Sequence, residues 1–374
     1  MTTDDARLAR AYLLRVVEPP APDMVSLVAG VGPVRAAEMV RSGKVDTDET
    51  AARRHLDFAA RDLEAAAGRQ TRLVIPEDEE WPAWQLLALA NAAARDVPGM
   101  TEPLGLWVRG RARLDELVQE AVAVVGARAA TSYGERVAAE IAYDLARQSV
   151  TIVSGAAYGI DGSAHRGALR ADGRTVAVLA CGVDVAYPAG HTDLLARIAA
   201  TGAVVSEYPP GTRPARHRFL VRNRLIAALA AGTVVVEAGR RSGSRNTAAT
   251  TSELGRPLMA VPGPVTSAMS VGCHDLLRTA GASAVCSAED VLADAGRIGV
   301  DATTRSDEPA RATDGLDRVM LRVHEELPTR GGVSAEQIAV GSGVPLSRVR
   351  ALLPELELLG LVQKCESGWC RGRG

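Results

Sequence analysis

With 374 residues the chain is long enough for two or three domains, and its 47% apolar and 24% charged content is that of ordinary globular protein. A net charge of −2 excludes the uniformly basic coat of a DNA-packing protein but leaves room for a local basic groove. The polar start MTTDDARLAR lacks the order of a signal peptide. The longest apolar run, residues 225–236, is broken by Gly232 and Thr233 and falls short of the about 20 residues a membrane span needs. Five cysteines, an odd number with no CxxC pair, argue against a disulfide scaffold or a zinc ribbon; Cys365 and Cys370 flank an expected hairpin, where pairing is open. Cys273 and His274 lack two further ligands for a metal. The expectation is a reduced, cytoplasmic protein with no metal, no cofactor and no membrane contact. Of the 43 basic residues only Lys44 and Lys364 are lysine. A GC-rich coding sequence explains that bias as readily as a need for arginine at phosphates, so position must decide.

Residues 1–75 read as an N-terminal helical domain. ArgLeuAlaArgAlaTyrLeuLeu opens one helix, and residues 49–67 have the spacing of another. Between them, Gly30, Val31, Gly32 and Pro33 break residues 27–40 into two short helices. This is either a helix-hairpin-helix (SAM-like) able to offer amides to a DNA phosphate or a plain helical turn. From about residue 104 short apolar runs alternate with amphipathic helices: 106–108, 121–125, 151–153, 175–179, 203–206, 233–236 and 258–261. That alternation predicts an α/β fold with a doubly wound, Rossmann-like parallel sheet, and the domain is placed at 76–297. Residues 298–315 lack apolar periodicity and read as a linker. Residues 316–374 then give three helices, at 316–327, after Ser334 and at 345–359, and a terminal hairpin. This is the layout of a winged helix, with Leu352, Leu356 and Leu359 on one side of the third helix.

The chemistry gathers where strands end. Gly126 turns the first strand toward a helix N-terminus, a usual anion site in such sheets, and Arg128 sits in that turn. The next strand ends in SerGlyAlaAlaTyrGlyIleAsp, with Ser154 and Gly155 in the turn. There Asp161 is placed to cap its helix and His165 reads as a packing residue. The densest feature spans 207–245. It holds Arg213, Arg216, Arg218, Arg222, Arg224, Arg240, Arg241 and Arg245, with Glu207 and Glu237 the local carboxylates and Glu237 placed to order nearby arginines. Phe219, one of two phenylalanines, lies among these arginines beside Asn223. Such a group suits a base stacked over the ring with phosphates held alongside. The alternative sends Phe219 into the core and pairs Arg222 and Arg224 with carboxylates. ArgSerGlySer, with Arg241, Ser242, Gly243 and Ser244, offers an anion cradle at a strand-to-helix turn, and ValProGlyProVal (261–265) is expected to shape the cleft wall.

Taken in order, ValGlyAlaArg, SerGlyxxxGlyIleAsp with AlaHisArg, CysGlyValAsp with TyrPro, SerGluTyrProProGly, PhexxArgAsnArgxIle, ValValGluAla, ArgSerGlySer, ValProGlyPro and GlyCysHisAspLeuLeuArg resemble the DNA-processing protein A family (DprA/Smf). The match is dense over residues 105–295. The resemblance implies a protein that is not an enzyme: a single-stranded DNA-binding recombination mediator that protects the strand and helps load RecA, in natural transformation or recombination. It further implies a homodimer formed through the Rossmann domain. The family's binding pocket maps onto Arg128, Ser154, Gly155, Arg218, Phe219, Arg222, Asn223, Arg224 and the 241–244 turn, with Arg213 and Arg216 in the same basic run. Tyr158 stands where the common family form has arginine. It either trades a phosphate contact for stacking or fills a structural position.

Two rival readings remain. One is a nucleotide-processing enzyme of phosphoribohydrolase type, but Glu253 falls at the wrong spacing for that family's catalytic glutamate. The other is a winged-helix transcription regulator, for which residues 346–359 supply only Arg348 and Arg350 as contacts.

Overall fold

The structure is a computed structural model that describes residues 2–45, 47–296, 316–365 and 367–372. The linker expected at 298–315 lies outside them. The described residues form two compact units, one up to residue 296 and one from 316.

The first unit is organised by a sheet of nine strands among the described residues: β1 (Thr71–Val74), β2 (Leu106–Arg109), β3 (Ala121–Val125), β4 (Thr151–Ser154), β5 (Thr175–Val178), β6 (Ala203–Ser206), β7 (Gly232–Val235), β8 (Leu258–Ala260) and β9 (Ser283–Ala284). Their spatial order is β1-β2-β6-β5-β4-β3-β7-β8-β9. From β6 to β9 every pairing is parallel. The central strands are β-branched and buried on both faces, which is what a parallel sheet covered by helices requires. Side chains alternate between the faces. Val122, Val124, Ile152 and Val234 pack with Ile141, Leu145 and Ile160, whereas Ala123, Val125, Val153 and Val235 pack with Leu225, Ile226 and Leu229.

Two departures from the sequence reading concern the sheet's edge. β1 lies in the stretch expected to be helical, and both β1–β2 and β2–β6 are antiparallel, so the sheet is mixed rather than wholly parallel. A four-residue strand carries too little periodicity to announce itself. A third departure is the helix expected over 49–67. The Thr50 hydroxyl and amide both donate to the Thr47 carbonyl, which holds residues 48–55 in turns, and the helix begins only at Ala59. The helices Pro22–Val31 and Pro33–Arg41 meet at Gly32, whose φ of +80° favours glycine. Tyr12, Leu13, Met24, Ala36 and Val40 from this end share a core with Leu73, Trp107, Ala177 and Val204 of the sheet.

In the second unit the helices Arg318–Glu325, Ala335–Ser342 and Leu346–Leu358 precede a hairpin of β10 (Val362–Cys365) and β11 (Gly368–Arg371). A capping box of Ser334 and Gln337 starts the middle helix. Leu352 and Leu356 enter the core with Val323, Ile338 and Val349, but Leu359 stays outside at 58% exposure. Cys365 and Cys370 are unbridged.

The chain leaves β3 in one direction through β4, β5 and β6, then returns beside β3 as β7 and continues the other way. This reversal opens a crevice beyond the carboxyl ends of β3 and β7, where doubly wound sheets bind ligands.

Candidate nucleic-acid interface

A cleft of about 840 Å³ occupies that crevice. Gly126 and Arg128 line it after β3, Ala157 and Asp161 after β4, and Tyr187 after β5. Arg216, Phe219, Arg222 and Asn223 follow β6, Arg240 to Ser244 follow β7, and Met269 follows β8. Gly126 has no room for a side chain: a Cβ would lie 2.5 Å from Ile160 and 2.8 Å from the Glu237 carbonyl.

The helix Arg216–Ala228 sorts the arginine run by its own periodicity. Arg216, Phe219, Arg222 and Asn223 face the cleft. Arg218 faces the other way. It forms hydrogen bonds of 2.7 and 2.9 Å to Glu18, donates to the Arg213 carbonyl at 2.6 Å, and lies 4.9 Å from the Tyr208 ring. Arg224 is 3% exposed, grips Glu207 through two 2.8 Å bonds and donates to the Thr101 carbonyl at 2.9 Å. The structure thus corrects the trough drawn from sequence. Arg128 and Arg222 share the cleft, while Arg213, Arg218 and Arg224 lie outside it, and Arg224 adopts the carboxylate pairing of the alternative reading. Arg245 is also drawn off, to Asp275 at 2.8 Å. Glu237 does not order arginines. Its carboxylate accepts from the Thr131 amide at 2.9 Å and hydroxyl at 2.6 Å, steadying the turn after Arg128.

Arg222 forms the cleft floor. It is buried, donates to the Val178 carbonyl at 2.8 Å and leaves its Nε without a partner. Burial pulls its pKa down to about 10 against the opposing charge of Asp161. Gly155 makes room for it, since a Cβ there would lie 1.8 Å from the guanidinium. Ser154 lies outside the cleft, its hydroxyl bonded to the Val124 carbonyl at 2.6 Å. Asp161 is a floor residue rather than a cap of the helix Ile160–Arg170, which has no side-chain cap. Burial raises its pKa, opposed by Arg222 and by the backbone amides of Ala157, Gly126 and Gly155. It is the sole carboxylate among the described residues that line the cleft.

The rim is positive. Among the described residues no carboxylate lies within ion-pair distance of Arg128, Arg216, Arg240 or Arg241. Arg128 instead lies 4.8 Å from the Phe219 ring. Phe219 is half-buried and tilted against Tyr187, with ring centroids 5.3 Å apart. The helices Arg216–Ala228 and Ser244–Glu253 both begin at the cleft with no side-chain cap and no acidic residue in the first turn. At Arg216–Ala228 the amides of Arg216 and His217 take no partner among the described residues and are left for an anion. At Ser244–Glu253 the Ser244, Arg245 and Asn246 amides already donate to Ser242 and Gly243, so that end offers its dipole rather than free amides. Ser242 and Ser244 share a 2.7 Å hydroxyl contact across Gly243, and Asn223 ties the two helices together through Asn246 at 3.1 Å. The ValProGlyProVal turn packs behind the wall, with the Pro262 carbonyl accepting from Tyr133 at 2.8 Å; Met269 makes the cleft contact instead.

Sequence reasoning missed Tyr187 and Met269 as cleft residues and left Arg240 out of the binding set. All three lie in loops after strands, so the carboxyl-edge position itself was the available signal.

Among the described residues there is no group of histidine, cysteine or carboxylate side chains that could hold a metal, and no helix long and apolar enough to cross a membrane. The family model for DNA recombination-mediator protein A matches residues 72–296. Over 369 residues the chain is 52% identical to a putative DNA processing protein DprA of Mycobacterium tuberculosis, covering 98% of this chain and 94% of that one. It is 35% identical to protein Smf of Escherichia coli over 328 residues, covering 86% of this chain and 84% of that one. The X-ray structure of DNA processing protein A from Streptococcus pneumoniae superposes with a TM-score of 0.62 at 28% identity, covering 79% of this chain and 99% of that one. On this match the chain belongs to the DNA recombination-mediator protein A family, whose members are DNA-binding mediators rather than enzymes.

Proposed function

We propose that the chain holds single-stranded DNA in the carboxyl-edge cleft without breaking any bond in it, as a mediator that protects the strand and helps load RecA in natural transformation or recombination. The observation that carries the reading is the company Phe219 keeps. Four arginines with no ion pair among the described residues, Arg128, Arg216, Arg240 and Arg241, line the same cleft as this half-buried ring, Arg128 against its face and the others where two helices begin without a side-chain cap. Unpaired arginines neutralise phosphates, and a ring beside them stacks any base, so the site favours a flexible unpaired strand over a sequence. The floor supports this assignment: one buried carboxylate gives no acid–base pair for hydrolysis.

The test is a binding titration with unrelated single-stranded oligonucleotides over a range of salt. The expected result is similar affinity for each and a log–log salt slope of about −2 to −3, the value for three or four neutralised phosphates. A slope near zero, or preference for one duplex sequence, would overturn it. The finer parts of the proposal are a homodimer through the Rossmann domain, a winged-helix second unit, a helix-hairpin-helix at Gly32, and cytoplasmic action on RecA. Sedimentation of the full chain tests the dimer. Strand exchange by RecA on strands coated with single-strand binding protein, with and without this chain, tests the loading.

A further inference from the structure

We propose that Tyr158 is a second base-stacking platform on the rim of the cleft, so that the bound strand presents at least two unstacked bases to the carboxyl edge of the sheet. The inference rests on reading the cleft as a single-strand site.

Tyr158 is 51% exposed, unusual for an aromatic ring that is also firmly held. It meets His191 edge to face, with centroids 4.8 Å apart and planes at 68°. His191 is itself buried and anchored, its Nδ1 lying 3.0 Å from the Ala156 carbonyl. Gly190 leaves space for the tyrosine: a Cβ there would come within 2.7 Å of the Tyr158 hydroxyl. A ring recruited only to cover His191 would be buried by the contact. This one is fixed on one side and open to solvent, so a base meets it with little ordering cost.

Its place in the fold points to the same use. Tyr158 follows Ala157 and precedes Asp161, both of which line the cleft. The loop it leans on, at Gly190 and His191, also carries Tyr187, which packs on Phe219 inside the cleft. Two residues, Pro188 and Ala189, separate Tyr187 from Gly190, a span of at most about 11 Å. In a chain with 3% aromatic residues, Phe219 and Tyr187 thus line the cleft, and Tyr158 stands beside it, between the lining residues Ala157 and Asp161 and against the loop that carries Tyr187. Tyr158 carries no charge and lies under no cation of the described residues, so stacking is the contribution it is suited to make.

The experiment compares two strands of equal length and charge, one with bases and one built of abasic units, against wild type, Tyr158→Ala, Tyr158→Leu and Tyr158→Phe. Leucine keeps bulk against His191 without an aromatic face. On the strand with bases, the Ala and Leu variants should bind about 5- to 150-fold more weakly and the Phe variant as wild type. On the abasic strand all four should bind alike, and the salt slope should not change. An equal loss on both strands would make Tyr158 a structural or phosphate contact, and no loss on either would remove it from the site; both overturn the inference while leaving the cleft reading intact. Failure of the wild type to bind either strand would sink the cleft reading and this inference together.

Discussion

Both edges of the sheet carry arginines, yet they stand on opposite poles of the helices. At the amino edge a groove of about 570 Å³ is lined by Arg147, Arg170 and Arg174. Arg147 ends the helix Ser132–Arg147 and Arg170 ends Ile160–Arg170, so these two cations face carbonyl ends and relieve the partial negative charge there. At the carboxyl edge Arg216 opens the helix Arg216–Ala228, and Arg240 and Arg241 precede Ser244–Glu253, beside amide ends that already carry partial positive charge. The first arrangement is complete as it stands. The second sets cations beside amide ends of the same sign, and on the proposed reading a bound phosphate balances them. Counting basic residues does not separate the two edges; helix polarity does.

The largest expected effect concerns an arginine that belongs to neither edge. Arg224→Ala would leave Glu207 buried and unpaired, a loss of about 3–5 kcal/mol in urea unfolding. Binding by the molecules that still fold should match wild type. If the variant instead keeps its stability and loses the strand, Arg224 contributes to the cleft and the division of the arginines is wrong.

A second expected effect arises inside the helix that joins the edges. The Thr175 hydroxyl gives its proton to the Ile152 carbonyl at 2.7 Å, so the 2.7 Å contact with His165 requires His165 Nδ1 to be the donor. That leaves Nε2 bare and buried without a partner. Burial, with the nearby charges of His191, Arg166 and Arg222, lowers the pKa to about 3 from an ordinary 6.5. Between those values the unfolded chain binds the extra proton, so this contribution is intact above 6.5 and lost as pH falls toward 3. From pH 6.5 to 5 the loss is about 1.6 kcal/mol. His165→Gln should flatten that part of the stability–pH curve, and an unchanged acid limb would place the sensitive group elsewhere.

These contrasts also mark what was legible before the structure. The runs at 121–125, 151–153 and 203–206 announced themselves because parallel strands buried on both faces read as unbroken apolar stretches. β1 and β9 did not, being four and two residues long. The gathering of Arg128, Arg222 and Phe219 was legible because glycine turns mark strand ends. The removal of Arg218 and Arg245 was not, because their partners lie 200 and 30 residues away, and that of Arg224, whose partner lies 17 residues away, stood only as the alternative. Local sequence shows a charge but not the carboxylate that the fold returns to it. The spacing of 216, 219 and 223 against 218 and 224 was there to be read, but only once the helix was oriented against the sheet.

The smallest effects test the polarity argument directly, because the two edges should answer with opposite signs. Arg216→Gln and Arg170→Gln each remove one charge while keeping helix propensity nearly constant. At the amide end, losing Arg216 should raise stability by about 0.3–1 kcal/mol at low salt and weaken strand binding, with a slope flatter by about 0.7. At the carbonyl end, losing Arg170 should lower stability by a similar amount and leave binding and slope as they were. Both stability changes should fade as salt screens the dipoles, which separates them from lost packing. If Arg170→Gln weakens the strand as much as Arg216→Gln does, the amino-edge groove is also a nucleic-acid surface, and helix polarity is not what distinguishes the edges.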